Sequence, residues 1–369
     1  MKFAYLKVTA VLTVSGLLAS VSAFAASSTL SKAKQEAESA GYTFFSNHDD
    51  IVEKAKKEKR LRVIANIEPA SIKEATKAFN AKYPFIELHV NPVQGGDERI
   101  ILEIQSGRSD WDVIYPRTDA YGQFLPHLWK VDLLGMAGSG VLQIPTPMID
   151  PKNRNVAAFS SRLEVSAYHK NLLPPDQVPK VWEDFLKPEF RGRKFAADIQ
   201  PQEVPYLVPA WGLEKVLDFA RKLAAQQPIW VRGGTRTLTT MLAGEIPLFL
   251  GLGYNTVRRS QNKDRAGVLQ YVALEPSPVS LFGEQAILST SRSRHAGLLW
   301  MEWLASAEAQ KLADIHEPHG ASHLFPGGSL EQAIRGKKLS LVTWEHHEQV
   351  EQWHKKVLEA YGFPKVEKR

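Results

Sequence analysis

The sequence predicts an α/β protein of two lobes, and three observations predict it. Residues 61–90 (LRVIANIEPASIKEATKAFNAKYPFIELHV) read as strand, loop, helix, strand, the βαβ unit from which parallel sheets are wound. Residues 111–115 (WDVIY) make a third strand after a second helix and run into Pro116-Arg117-Thr118-Asp119. The same alternation resumes over residues 194–255, which makes a second α/β lobe. With 369 residues, 44% of them hydrophobic, the chain is long enough for two packed cores.

The N-terminus reads as a leader. Lys2 and Lys7 precede a mostly apolar, small-residue run over 8–21, and Ala23-Phe24-Ala25 fits the small-x-small cleavage pattern. Residues 1–25 are therefore a signal peptide and the mature chain begins at Ala26. The run is shorter than the ~20 residues a spanning helix needs. With no cysteine at the cleavage point, no lipid anchor is expected.

Residues 26–60 are polar and helical in composition, and 51–60 (IVEKAKKEKR) reads as an exposed helix. After the strand at 61–65, residues 66–70 form a polar loop. Ser71 with Glu74 three residues later fits a capping box. Ile72, Ala75, Phe79 and Tyr83 then mark one apolar face, and Pro84 ends the helix before a strand at 85–90. Gly95-Gly96 opens a helix over 97–107 with Ile100, Ile101 and Ile104 on one side. Residues 135–160, rich in Gly and Pro, are expected on the surface. A strand at 163–169, a proline-rich turn at 171–180 and a short helix at 181–186 lead to a strand at 194–198 that ends in Asp198. Residues 213–227 form an amphipathic helix. The strand at 229–231 runs into Arg232-Gly233-Gly234-Thr235, with Thr235 capping a helix that stops near Gly244. A strand at 246–250 ends in Gly251-Leu252-Gly253-Tyr254-Asn255. A strand at 286–290 and helices at 296–304, 307–315 and 344–361 complete the chain, and Gly362 ends the last helix.

The chemistry is narrowed mainly by what is absent. No cysteine means no disulfide framework and no cysteine-based metal site. The formal charge of +6, or +4 once Lys2 and Lys7 leave with the leader, is mild and spread among acidic neighbours, so nucleic-acid binding is not expected. No nucleophile-elbow, phosphate-loop or zinc-protease motif occurs. Gly251-Leu252-Gly253 resembles the start of a dinucleotide fingerprint, but Thr256 takes the third glycine position and a polar run follows. His316, His319, His323, His346 and His347 read as exposed loop histidines, with no metal or cofactor expected. Arg232-Gly233-Gly234-Thr235 before a helix makes an anion cradle of backbone N–H groups and helix dipole. Arg117 with Thr118, Arg162 and Arg232 lie near strand or loop ends that can face one cleft, which suits an anionic ligand. Tyr254 and Asn255 follow a second-lobe strand, where tyrosine can stack on a ligand or hydrogen-bond to it. Asn66 and Glu68 in the first-lobe loop and Asp198 complete the candidate binding set; Glu68, Asp119 and Asp198 are the partners expected if the ligand is instead a sugar, a thiamine-like cation or a polyamine.

Several further stretches carry a family resemblance: SDWDVI (109–114), VPKVWEDFLKPEFRGR (178–193), LAGEIPLFL (242–250), HAGLLWMEWLASAEAQKLA (295–313), and the segments 336–339 and 361–364 (YGFP). In their order and coverage the chain resembles the extracellular solute-binding proteins of ABC importers, the two-lobed periplasmic type, and within these the branch containing ferric-iron-binding proteins. The resemblance implies a type 2 periplasmic binding protein fold, with lobe 1 at 26–165, lobe 2 at 166–285, and a return to lobe 1 with C-terminal helices over 286–369. It also implies a monomeric periplasmic protein that is not an enzyme, closes on a small-molecule ligand, and delivers it to an inner-membrane permease and ATPase. Ferric-binding members use two adjacent tyrosines and a first-lobe histidine. Here Tyr254 matches the first tyrosine, Asn255 replaces the second, and residues 66–71 hold no histidine. The leading expectation is a small organic or phosphorus-containing anion or zwitterion. The alternatives are ferric iron or an iron chelate and, from another class, an exported hydrolase.

Overall fold

β-Rich apolar runs pair side by side in the computed structural model, which describes residues 29–67, 69–93, 97–116, 121–316 and 320–363. Strand β1 (Arg60–Ala65) pairs in parallel with β2 (Glu87–Pro92), Leu61 opposite Leu88, and with β3 (Val113–Ile114) at Val63 and Val113. Leu61, Val63, Ile64 and Ala65 are all buried, as expected of a parallel strand covered on both faces. Further along come β4 (Val156–His169), β5 (Ala196–Asp198), β6 (Ile229–Val231), β7 (Leu248–Gly253), β8 (Leu269–Val272), β9 (Ser277–Ile287) and β10 (Leu339–Val342). The strand order is β2-β1-β3-β9-β4-β7-β5-β6, with β10 on β9 and β8 on β4.

β4 divides this sheet. Its residues 156–163 pair antiparallel with β9, and its residues 164–169 pair with β7 and β8. One half is thus built from β1, β2, β3, β9 and β10. The other is built from β5 to β8, with β5 parallel to both β6 and β7. Arg162, opposite Ser280, and Glu164, opposite Gly253, stand on either side of the change of partner.

The helices cover both halves. On the first lie α1 (residues 29–39), α2 (His48–Glu58), α3 (Pro69–Lys82), α4 (Asp97–Gln105), α5 (Tyr121–Phe124) and α6 (Leu133–Gly138). The second carries α7 (Val208–Trp211), α8 (Leu213–Ala225), α9 (Gly234–Leu242) and α10 (Tyr254–Gln261). The chain closes with α11 (Arg294–Ala305), α12 (Ala307–His316), α13 (Ser329–Ile334) and α14 (Val350–Tyr361). The periodic face of α3 is used as its spacing implies: Phe79 meets Trp300 and Trp303 of α11 edge-on, at ring distances of 5.4 and 5.7 Å. In the second half, Trp182, Phe185, Phe195 and Phe219 pack with Val357 and Tyr361, which seats α14 against α8. No helix among the described residues is long and apolar enough to cross a membrane.

Several local expectations are corrected. α3 starts at Pro69, a residue suited to a first helical turn. Ser71 therefore lies inside the helix, its buried hydroxyl without a partner, instead of capping it. Residues 135–160 are not a surface loop. Val141, Leu142, Ile144, Met148 and Ile149 are buried, and β4 already begins at Val156. β9 begins at Ser277, well before residue 286. β4 carries Ser, Arg and Glu, and β9 Ser, Glu and Gln, where a two-sided apolar run would be easier to read, and Arg162, Glu164 and Ser280 among these line a cleft. α9 is preceded by Gly233 with φ 90°, so Thr235 is not its cap. The polar run after Gly253 is helical, with Tyr254 and Val257 buried. Residues 344–361 divide into a 3-10 turn (Trp344–His346) and α14.

Candidate functional site

β4 sets the site. Side chains alternate along a strand, so Arg162 and Glu164 leave it on the same face, where β4 exchanges β9 for β7. Arg162 Nε donates to Glu164 Oε1 at 2.6 Å. Glu164 is fully buried, whereas 34% of the Arg162 side chain is exposed. The Glu164 carboxylate holds the guanidinium above its ordinary range, so Arg162 stays charged. Only Nε of Arg162 is hydrogen-bonded to described residues, which leaves both terminal nitrogens for the cleft.

Two glycines of β7 bring the charges close. A Cβ on Gly251 would stand 2.3 Å from Glu203 Cγ. A Cβ on Gly253 would stand 2.8 Å from Asn255 Oδ1 and 3.6 Å from Arg162 Nε. Gly251 is therefore a close-approach position for the Glu203 side chain, and Gly253 for that of Asn255. Glu203 is 1% exposed. Its Oε2 accepts from the Gln202 N–H at 3.0 Å, and its Oε1, like Glu164 Oε2, has no partner. Burial, and then the neighbouring Glu164 charge, push the Glu203 carboxyl up to about 8. Burial also raises Glu164, against the pull of Arg162.

Around this cluster lies a compartment of about 360 Å³ at the carboxyl ends of β5, β6 and β7, the position where open α/β sheets hold ligands. Asp198, Gln200 and Gln202 line one part of it, and Arg232 to Thr235 line another. The Gly233 N–H is already used: it donates to Asp198 Oδ2 at 3.0 Å. That leaves the Gly234 and Thr235 N–H groups at the positive end of α9.

A second compartment of about 480 Å³ opens on the other side of Arg162. Tyr115, Tyr121, Tyr206, Phe282, His347 and His354 dominate its wall. The Tyr121 hydroxyl donates to Asp150 Oδ2, Asn153 Nδ2 donates to the same carboxylate at 2.7 Å, and the His347 ring stands edge-on to Tyr121 at 4.5 Å. Burial lowers the pKa of both histidines, His354 to about 4, so neither adds positive charge at neutral pH to this wall, which also carries Glu348 and Glu351. The compartments share Arg162 and Gln202.

No protein-family model matches the chain. An uncharacterised protein of Haemophilus influenzae is 26% identical over 142 residues, 37% of this chain, and the chain spans 40% of that relative's length. Solved structures match far more of it. Ferric iron-binding protein A of Mannheimia haemolytica, in an open conformation, aligns over 83% of this chain and 100% of its own, with TM-score 0.64 and 18% identity. The Bordetella ferric binding protein aligns over 82% and 98%, with TM-score 0.65 and 16% identity. The substrate binding protein of an ABC transporter from Agrobacterium tumefaciens aligns over 82% and 97%, with TM-score 0.58 and 15% identity. The chain has the two-lobed periplasmic binding protein fold.

Within this fold, Arg162, Asp198, Arg232, Gly233, Gly234 and Thr235 come together in the charged compartment. Asn255 lies beside it, half-buried, its Oδ1 accepting from the Thr256 N–H at 2.8 Å. Tyr254 is placed elsewhere. It is 3% exposed and packs with Leu238, Met241 and Phe249, its ring 5.1 Å from Tyr271, and burial raises its pKa. Asn66 is exposed at the end of β1 and lines neither compartment. Glu68, Arg117, Thr118 and Asp119 lie outside the described residues. Sequence reasoning missed Glu164, Glu203 and the aromatic wall. The signals available were the i, i+2 placement of Arg162 and Glu164 and the paired glycines of β7. Of the histidines, His323 Nδ1 lies 2.7 Å from Ser161 Oγ and His347 lies beneath Tyr121, while His319 is outside the described residues. Among described residues, no group of three or more His, Asp or Glu is placed to hold a metal ion.

Proposed function

We propose that this protein is the periplasmic solute-binding component of an ABC importer, that it catalyses no reaction, and that its ligand is a small organic or phosphorus-containing anion or zwitterion. Arg162 carries this reading. It is a charged guanidinium with two uncommitted nitrogens, at the crossing of the two half-sheets and on the wall of both compartments. A guanidinium so placed is suited to bidentate carboxylate or phosphate, and the Gly234 and Thr235 N–H groups add a second anion contact from the α9 end. Capture follows when lobes 26–165 and 166–285, with the return over 286–369, close on a ligand that touches both. The closed form is then offered to a membrane permease and its ATPase. The neighbours support the importer role: one is the substrate binding protein of an ABC transporter. Others bind ferric iron. Iron is not the reading taken, because the Tyr254 phenol packs against Tyr271 in the core and burial opposes its phenolate form.

The mature chain from Ala26, screened by thermal shift against inorganic phosphate, carboxylates, amino acids, phosphate monoesters and ferric citrate, tests this. An anion at 100-fold over its Kd stabilises the protein by about 2.7 kcal/mol, and Arg162→Met abolishes the shift. A shift from ferric citrate alone, with a visible charge-transfer band, overturns the anion reading. Conversion of the stabilising compound into product overturns the binding-protein reading.

A further inference from the structure

The charged compartment contains more acid than an anion site needs. Glu164 is neutralised by Arg162 through one oxygen only. Glu203 is buried beside it with no basic side chain among its hydrogen-bond partners. One oxygen of each carboxyl is closed to water and meets no donor. Buried carboxyl oxygens without donors are costly, and the fold does more than tolerate them: Gly251 is the residue that lets Glu203 lie against β7. Gln202, half-buried and shared by both compartments, covers the approach.

We infer that Glu164 and Glu203 form a subsite for a cationic group, so that the ligand is a zwitterion whose primary ammonium reaches the two free carboxyl oxygens past Gln202 while its carboxylate or phosphate meets Arg162 and the α9 N-terminus. This rests on the anion reading above and narrows it. Glu203 faces Arg162 and Glu164 of β4, Asp198 of β5 and Tyr361 of α14. In the free protein burial raises its pKa to about 8, so it holds a proton at neutral pH, which spares the cluster a carboxylate that Arg162, already paired with Glu164, does not compensate. An ammonium arriving between the carboxyls favours the carboxylate, so the proton leaves Glu203 for solvent as the ligand binds.

The test is calorimetry at pH 7 on the mature chain with two matched pairs, O-phosphoethanolamine against ethyl phosphate and β-alanine against propionate, in two buffers of different ionisation enthalpy. The amino member of a pair binds at least tenfold more tightly than its partner and releases close to one proton. Glu203→Gln, which mimics the protonated acid and keeps the fold, loses the proton release and most of the preference while still binding the desamino partner. Equal affinities within a pair, no proton release, or an unchanged Glu203→Gln profile overturns the cationic subsite and leaves the anion reading standing. A chain that binds no member of either pair fails the anion reading itself, and this inference with it.

Discussion

The two compartments that meet at Arg162 are built differently, one around a buried charged cluster and the other around rings. The one at the ends of β5, β6 and β7 buries ions: Arg162 on Glu164, with Glu203 pressed over Gly251. The one between Tyr121, Tyr206 and Phe282 is walled mainly by rings, with His347 and His354 kept neutral by burial and Glu348 and Glu351 also on its lining. A protein gains little stability from a buried ion pair compared with well-packed apolar groups. The first compartment is therefore understood as recognition of charge and the second as shape and apolar contact. Gly251 contributes to the difference, because a Cβ there would stand 2.3 Å from Glu203 Cγ and exclude that long acidic side chain.

Arg162 is the position at which a substitution is expected to have the largest effect. Arg162→Met is expected to lower stability by about 3 kcal/mol, because Glu164 is left buried and unpaired, and to abolish anion binding. Arg162→Met with Glu164→Gln is expected to restore stability in urea denaturation without restoring binding. Binding by the double variant would show that the anchor lies elsewhere. Next, Gly251→Ala is expected to cost about 2 kcal/mol by overpacking, since its Cβ meets Glu203 Cγ at 2.3 Å. Gly253→Ala is expected to cost less, because it meets the end of the Asn255 side chain at 2.8 Å. Equal costs would remove the seating role from Gly251.

The pH profiles separate the compartments further. Glu203 is raised in the folded state, so its contribution to stability is present below the unfolded carboxyl range near 4.5 and is lost as pH rises towards 8. The melting temperature of Glu203→Gln relative to wild type is expected to climb between pH 5 and pH 8, and a flat difference would contradict the raised carboxyl. His354 has the opposite sign. Its pKa is lowered, so its contribution is present above 6.5 and is lost as pH falls towards 4, a loss that His354→Phe is expected to reduce. The smallest effect belongs to Tyr254→Phe, with unchanged ligand affinity and a stability change of about 1 kcal/mol or less. A loss of binding there would return Tyr254 to the site.

Much of the architecture was legible because it rests on local rules. The βαβ unit at 61–90 follows from period and punctuation, and the α3 face that meets Trp300 and Trp303 was visible as Ile72, Ala75, Phe79 and Tyr83. The loops at the carboxyl ends of β5 and β6 announced Asp198 and Arg232 to Thr235, because glycine and polar residues directly before a helix have few other uses. Tyr254 was misplaced because a tyrosine after a strand reads the same whether it turns to a cleft or to Tyr271. The long strands β4 and β9 are shorter in the sequence reading because polar residues, among them the cleft-lining Arg162, Glu164 and Ser280, hide their alternation.

The sequence by itself determined the α/β class, the βαβ unit at 61–90, the strands that became β3, β5 and β6, and the residues that open α9 towards a ligand. It did so because helix and strand periods, caps and breakers act over a few neighbouring residues. Only the tertiary structure decided that Arg162, Glu164 and Glu203 form one cluster, that Gly251 makes room for Glu203, and that Tyr254 is core. Each of those depends on which strand β4 pairs with at residue 164. That pairing joins positions some ninety residues apart, a separation at which nothing local in the chain specifies the partner.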